Sequence, residues 1–193
     1  MSPDLPVMDS AAALRYGRQI ALPEVGPEGQ DRILRAHVLV VGRDRAAEMA
    51  ALYLRAAGVG RVTPVRDLPS DGPGWLALLD GVAAVVRSGF DDDALAGAAA
   101  RRGVPVVVVR AEATAIDVVS FPERPPAPDA PFAASIPART PTDGGAPGVL
   151  AGVLAAAETL HALLRGSDDG VPIRHVRLPL DGGDPLAQVV GAR

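Results

Sequence analysis

Two places near the start of the 193-residue chain hold the residues best suited to chemistry. Gly42, Arg43, Asp44 and Arg45 follow the apolar run HVLVV and precede a helix-like stretch. A loop between a buried strand and a helix start collects anions through backbone amides and the helix dipole, and two guanidinium groups would reinforce that. Asp44 opposes it, because like charges about 4 Å apart near a protein surface cost on the order of 4 kcal/mol before screening. Arg43 and Arg45 equally suit a surface role, balancing Asp44 and Glu48. Earlier, RYGRQ at 15–19 carries Arg15 and Arg18, which read either as phosphate-holding forks or as solvated charges pairing with Glu24 and Glu28.

Other candidates carry less. Asp91, Asp92 and Asp93 could ligate a metal, but consecutive helix positions point in different directions, and acids at a helix start already have a capping role. His37, His161 and His175 lack metal-ligand spacing, and no metal site is expected. Ser88 has no G-x-S-x-G elbow around it. The DGGD at 181–184 reads first as a turn.

Composition narrows the classes. The chain has no Cys, which excludes thiolate zinc sites, disulfides and thioester intermediates on it. All 19 basic residues are Arg, so no Lys amine serves as nucleophile or phosphate clamp. A formal charge of −4 gives no electrostatic case for nucleic acid or an anionic membrane as partner. No apolar stretch reads as a signal peptide or membrane span, so a cytoplasmic location is expected.

The elements that must position these residues alternate. Helical stretches at 10–20 and about 30–36 lead into a strand at 37–42 and a helix at 46–58 ending on Gly58. Strands follow at 60–65, where Pro64 suggests an edge, and at 82–87, 104–109 and 115–121. Between them lie a brief helix near 75–81 and a longer one at 90–103. Pro-rich sequence at 122–147 reads as a crossover loop, followed by a long helix at 148–166, a strand at 173–180 and a tail. The order predicts an α/β, Rossmann-like fold: one domain over 1–193 with a largely parallel central sheet flanked by helices. Its parts are a helical entrance at 1–36, a strand-helix core at 37–121, the loop at 122–147, and the last helix, strand and tail at 148–193.

The quoted residues resemble the ubiquitin-activating (E1-like) family, in its bacterial ThiF/MoeB/HesA branch. Arg15, Tyr16, Gly17, Arg18 and Gln19 match its R-Y-x-R-Q helix, and Gly26, Gly29, Gln30 and Leu34 echo the step that follows. The strand, loop and helix running from Gly42 to AAGVG at 56–60 fit without a gap, and GVLAGVLAAAETLHALLRG resembles a later family helix with His161 near its Lys.

The resemblance implies a ThiF/MoeB-type fold and, in active members, ATP-dependent adenylation of a small carrier protein. It also implies what is altered here. Asp44 stands at the second glycine of the G-x-G-x-x-G loop and Ala47 at the last. The ribose-binding acid falls on Arg66 or Asp67, Asp91 stands near the metal-binding Asp, and the segment carrying the phosphate-binding Lys is missing. Arg18 would reach a neighbouring subunit's phosphates, with Arg15, Tyr16 and Gln19 at the interface. The expectation is therefore a pseudoenzyme, either a homodimer or the partner of an active homologue, in a sulfur-carrier, ubiquitin-like modifier or biosynthetic pathway. No cofactor is expected, with ATP and Mg only if the adenylation site works. An adenylyltransferase with an altered nucleotide site is the alternative. A small-molecule or dinucleotide-binding protein is a third reading, opposed by the missing glycines.

Overall fold

A computed structural model describes residues 9–67, 69, 72–89, 93–121, 145–165, 173–183 and 185–190. Asp9 caps a first short helix, Ser10–Arg15 (α1), by accepting from the Ala12 amide at 2.7 Å. The helical stretch expected over 10–20 is broken at Tyr16, and Gly17–Ile20 (α2) continues it as a separate turn. Gly26–Arg35 (α3) has Pro27 in its first turn, where no amide partner is needed.

His37–Val41 (β1), Arg45–Ala56 (α4), Arg61–Val65 (β2), Gly72–Leu78 (α5), Ala84–Ser88 (β3), Asp93–Arg102 (α6) and Val106–Ala111 (β4) then alternate. Ala115–Phe121 (β5), Gly145–Arg165 (α7), Ile173–Pro179 (β6) and Leu186–Val190 (β7) complete the order. The described strands form one sheet in the order β2-β1-β3-β4-β5-β6-β7. β2, with Pro64, lies at an edge, as its sequence requires.

The helix-flanked α/β sheet is present, and its parallel character is confined to one half. β2, β1, β3 and β4 run parallel, whereas β4–β5, β5–β6 and β6–β7 are antiparallel. Only residues 112–114 separate β4 from β5, too few for the dozen or so that a parallel crossover needs. The tail expected after residue 180 contains β7, which pairs with β6 from Ile173↔Val190 to Arg177↔Leu186.

Alternation along the strands divides the core. Val38 and Val40 of β1, Val86, Val107, Val109, Ile116 and Val118 face α4 and α7. Leu39, Val41, Val85, Val106 and Val108 face Trp75, Leu79 and Leu95 from the α5–α6 side. With α4 on one face and α5 and α6 on the other, the chain reverses direction across the sheet between β1 and β3. In open sheets of this kind, ligands bind outside the carboxyl ends of the strands at that reversal.

By length and hydropathy α7 would qualify as a membrane span. In the fold its small-residue face, with Gly148, Ala151, Gly152, Ala155 and Ala156, is buried. A Cβ on Gly152 would stand 2.5 Å from the Ala46 carbonyl oxygen and 2.6 Å from Met49 Cβ, so glycine sets the close approach of α7 to α4.

Candidate functional site

The carboxyl end of β1 brings together Gly42, Arg43, Asp44, Asp67 and a residue that the sequence did not single out as their partner, Ser88. Gly42 takes φ 151°, and a Cβ there would lie 2.9 Å from Ala47 Cβ and 3.1 Å from the Ser88 carbonyl oxygen. Only glycine fits so close an approach of the loop to α4 and β3.

Asp44 is the N-cap of α4. Its Oδ1 accepts from the Ala47 amide at 2.9 Å, and its Oδ2 accepts from Ser88 Oγ at 2.7 Å. Ser88, at the end of β3, is buried. A carboxylate at a helix start gains from the dipole as well as from the amide, and a hydroxyl donor at this distance makes a strong charge-assisted bond. Asp44 therefore complements the positive helix end internally, where the sequence suggested either a charge repelling phosphate or one balanced by Arg43 and Arg45.

Arg43 turns toward β2. Its Nε donates to the Arg66 carbonyl at 2.9 Å and its guanidinium pairs with Asp67 at 3.3 Å, although both of these side chains are mostly exposed. Arg45 pairs with Glu48 at 3.1 Å, the balancing role that the sequence left open for it. Asp91 and Asp92, two of the capping or metal candidates, lie outside the described residues, as does Asp184 of DGGD; of Asp93 only the backbone is described.

A second group forms at the other end of α4. Gly58, at φ 94°, ends that helix as a left-handed cap: its amide reaches the Arg55 carbonyl at 3.1 Å and the Val59 amide reaches Leu54 at 3.0 Å. The buried Tyr16 ring packs on Gly58, with two ring carbons 2.7 and 2.9 Å and the hydroxyl oxygen 3.0 Å from where a Cβ would stand. Gln30, fully buried, donates from Nε2 to the Ala57 carbonyl at 3.2 Å. The amides of Gly60 and Arg61 bond the Ile33 and Ala36 carbonyls at 3.2 and 3.0 Å, closing the end of α3. The two matched motifs, RYGRQ and AAGVG, thus meet in space.

Above this anchor α1 buries none of its own residues. Leu14 is 87% exposed, and Arg15 stacks on the Tyr16 ring with its guanidinium carbon 5.6 Å from the centroid. Arg18 is exposed and makes no ion pair among the described residues, while Gln19 is half-buried. The pairing of Arg15 or Arg18 with Glu24 or Glu28 is not formed. Twelve residues of α4, about 18 Å at the usual rise, separate the Tyr16 anchor from the Asp44 loop.

The three histidines lie apart. His37 Nε2 meets Thr63 Oγ1 at 3.0 Å. His175 Nε2 meets the buried Asp117 at 2.8 Å, and Arg177 holds that same carboxylate at 3.2 Å. That cluster was invisible in the sequence because it depends on β5–β6 register, Asp117 opposite Arg177. Burial first and the Arg61 charge second hold His37 below its ordinary pKa. For His161 burial leads again, followed by Arg165 and Arg174, against an opposing push from Glu158. The unfolded chain therefore binds these protons first as pH falls through about 6.5, and stability drops over that window. A urea titration should show a falling midpoint on acidification from neutral, and His161→Gln should make that fall shallower. An unchanged slope in the variant would remove His161 from the account.

No protein-family model matches the chain. A sulfur carrier protein adenylyltransferase of Thermus thermophilus is 58% identical over 48 residues, which is 25% of this chain and 18% of that protein. The chain thus spans about a fifth of the curated relative's length. Two solved structures share the fold at low identity. PaaA aligns with TM-score 0.75 and 13% identity over 100% of this chain and 77% of that one. Escherichia coli MccB, crystallised with ATP, aligns with TM-score 0.64 and 12% identity over 92% of this chain and 71% of that one.

The sheet order and the helices around it give the chain the Rossmann-type α/β fold of these solved structures. In sequence, a segment of the chain is similar to ThiF/MoeB/HesA-type proteins, and the matched relatives include a sulfur carrier protein adenylyltransferase, a probable adenylyltransferase/sulfurtransferase MoeZ and a vegetative HesA protein.

Proposed function

We propose that the chain is a non-catalytic E1-like subunit that docks on a second E1-like chain, either another copy or a catalytically complete homologue. The pathway would be sulfur-carrier transfer, ubiquitin-like modification or a related biosynthesis. The observation that carries this reading is the entrance unit. Its Tyr16 is anchored in the turn after α4, yet α1 and α2 on either side have no buried residue and leave Leu14 of α1 and Arg18 of α2 facing solvent. A helix held this firmly with its own surface unused is suited to completing another chain. Its anchor also lies at the end of α4 opposite the Asp44 loop.

Arg18 is the residue assigned to reach the partner's phosphates, because a guanidinium keeps its charge and can hold two phosphate oxygens. Asp44 supports the non-catalytic part of the reading, since its carboxylate stands at the helix start where a triphosphate would need open amides. In an adenylation assay reconstituted with an active homologue, Arg18→Ala should lower the rate on the order of a hundredfold while leaving the melting temperature unchanged. An unchanged rate sinks the role of Arg18. Saturable ATP-Mg binding by the isolated chain would favour the alternative, an adenylyltransferase with an altered site.

A further inference from the structure

We propose that the Asp44–Ser88 hydrogen bond is a latch that closes the ligand crevice of the sheet from within, with the Asp44 carboxylate standing in for a bound phosphate. The proposal rests on the non-catalytic reading above and says how the crevice is kept shut.

The crevice lies where the chain reverses direction, between the carboxyl ends of β1 and β3. Asp44 follows β1 and Ser88 ends β3, so their 2.7 Å bond spans it directly. The other carboxylate oxygen takes the Ala47 amide at 2.9 Å. One side chain thus satisfies an orphan donor of α4, offers the helix dipole a full negative charge and fills space that an incoming anion would need.

The same loop is fastened on its other side. The Gly42 amide bonds the Val65 carbonyl at 3.3 Å, and Arg43 Nε bonds the Arg66 carbonyl at 2.9 Å, both at the end of β2. Consecutive residues 42–44 therefore stitch the loop to both neighbouring strands. A phosphate-binding loop must leave its amides open, whereas here the Gly42 amide bonds the neighbouring strand, the Ala47 amide is capped by Asp44, and the Arg43 and Asp44 side chains bond the protein itself. The closed form is then the ground state of the fold and requires no ligand to complete it.

Occupancy and charge make different predictions. Asp44→Asn keeps a capping oxygen and the filled volume while removing the charge. Asp44→Ser keeps a short cap and opens the space toward Ser88, and Asp44→Gly removes both. The experiment titrates the full-length wild type and the three variants with inorganic pyrophosphate and with ATP-Mg, by calorimetry and by thermal shift.

The wild type and Asp44→Asn should show no saturable binding, while Asp44→Ser and Asp44→Gly gain pyrophosphate affinity of at least about tenfold over wild type. If Asp44→Gly fails to fold, Asp44→Ser carries the same arm, because serine is itself a good N-cap. Silence from folded Asp44→Ser and Asp44→Gly overturns the latch and leaves the non-catalytic reading standing. Asp44→Asn binding as well as Asp44→Ser also overturns it, since charge alone would then keep the crevice empty. Saturable ATP-Mg binding by the wild type overturns the latch and the non-catalytic reading together.

Discussion

Replacing Gly60 with alanine is expected to lower the unfolding free energy by about 3 kcal/mol, at the upper end of overpacking costs. The reason is local and severe. A Cβ at Gly60 would fall well inside the van der Waals shell of the Leu34 carbonyl oxygen, and backbone has no rotamer with which to escape. Relief requires α3 to move away from the turn, which breaks the bonds from the Gly60 and Arg61 amides to Ile33 and Ala36. Urea denaturation with an unchanged slope would measure the loss. Gly17→Ala is the matched control, since nothing lies within 4 Å of a Cβ there, and it should fall within about 0.5 kcal/mol of wild type. A loss at Gly60 no larger than this control would show that the α3 contact yields freely.

Tyr16→Ala should be the next largest effect, with a different signature. The ring is buried on Gly58, and removing a large buried aromatic costs about 3 kcal/mol where the surroundings cannot collapse. Here the loss should appear mainly as local opening, because α1 buries none of its own residues and α2 packs on α3. Limited proteolysis within residues 10–24 should accelerate at least about tenfold, with a smaller fall in the global melting temperature. The docking proposed above predicts that binding to an E1-like partner weakens in parallel. Wild-type proteolysis in this variant would mean that Tyr16 is not the anchor of the entrance.

These two results concern Gly58 and Gly60 of the AAGVG stretch, two of the glycines that carry the sequence resemblance. Gly58 and Gly60 serve packing of the entrance on the end of α4. Gly42 serves packing of the loop against α4 and β3. Of the pattern positions that differ, Asp44 places its carboxylate on the helix start, and Ala47 supplies the amide that it caps while its own side chain is buried against Gly42.

Much of this was readable from residues alone. Period and punctuation located β1, α4, β5 and α7, because Val-rich runs, Gly58 and a long apolar stretch each admit few backbone states. The break of the first helix at Tyr16 was not readable, since that ring leaves the helix to meet a turn about forty residues on. Strand direction beyond β4 was readable in principle from the three-residue connection at 112–114, a length that forbids a parallel crossover.

At the candidate site the sequence determined the inventory: an Arg-Asp-Arg loop, no thiol, no Lys, and an RYGRQ helix ahead of it. From that inventory Asp44 reads as a repulsive charge in a damaged pocket. Only tertiary structure decided that the charge is satisfied, because Ser88 lies 44 residues away and reaches Asp44 through the pairing of β1 with β3. Local sequence specifies what a backbone segment can become and which groups it carries. Whether a half-buried charge repels or completes a site depends on its partner, and partners across a sheet are set by strand order and register.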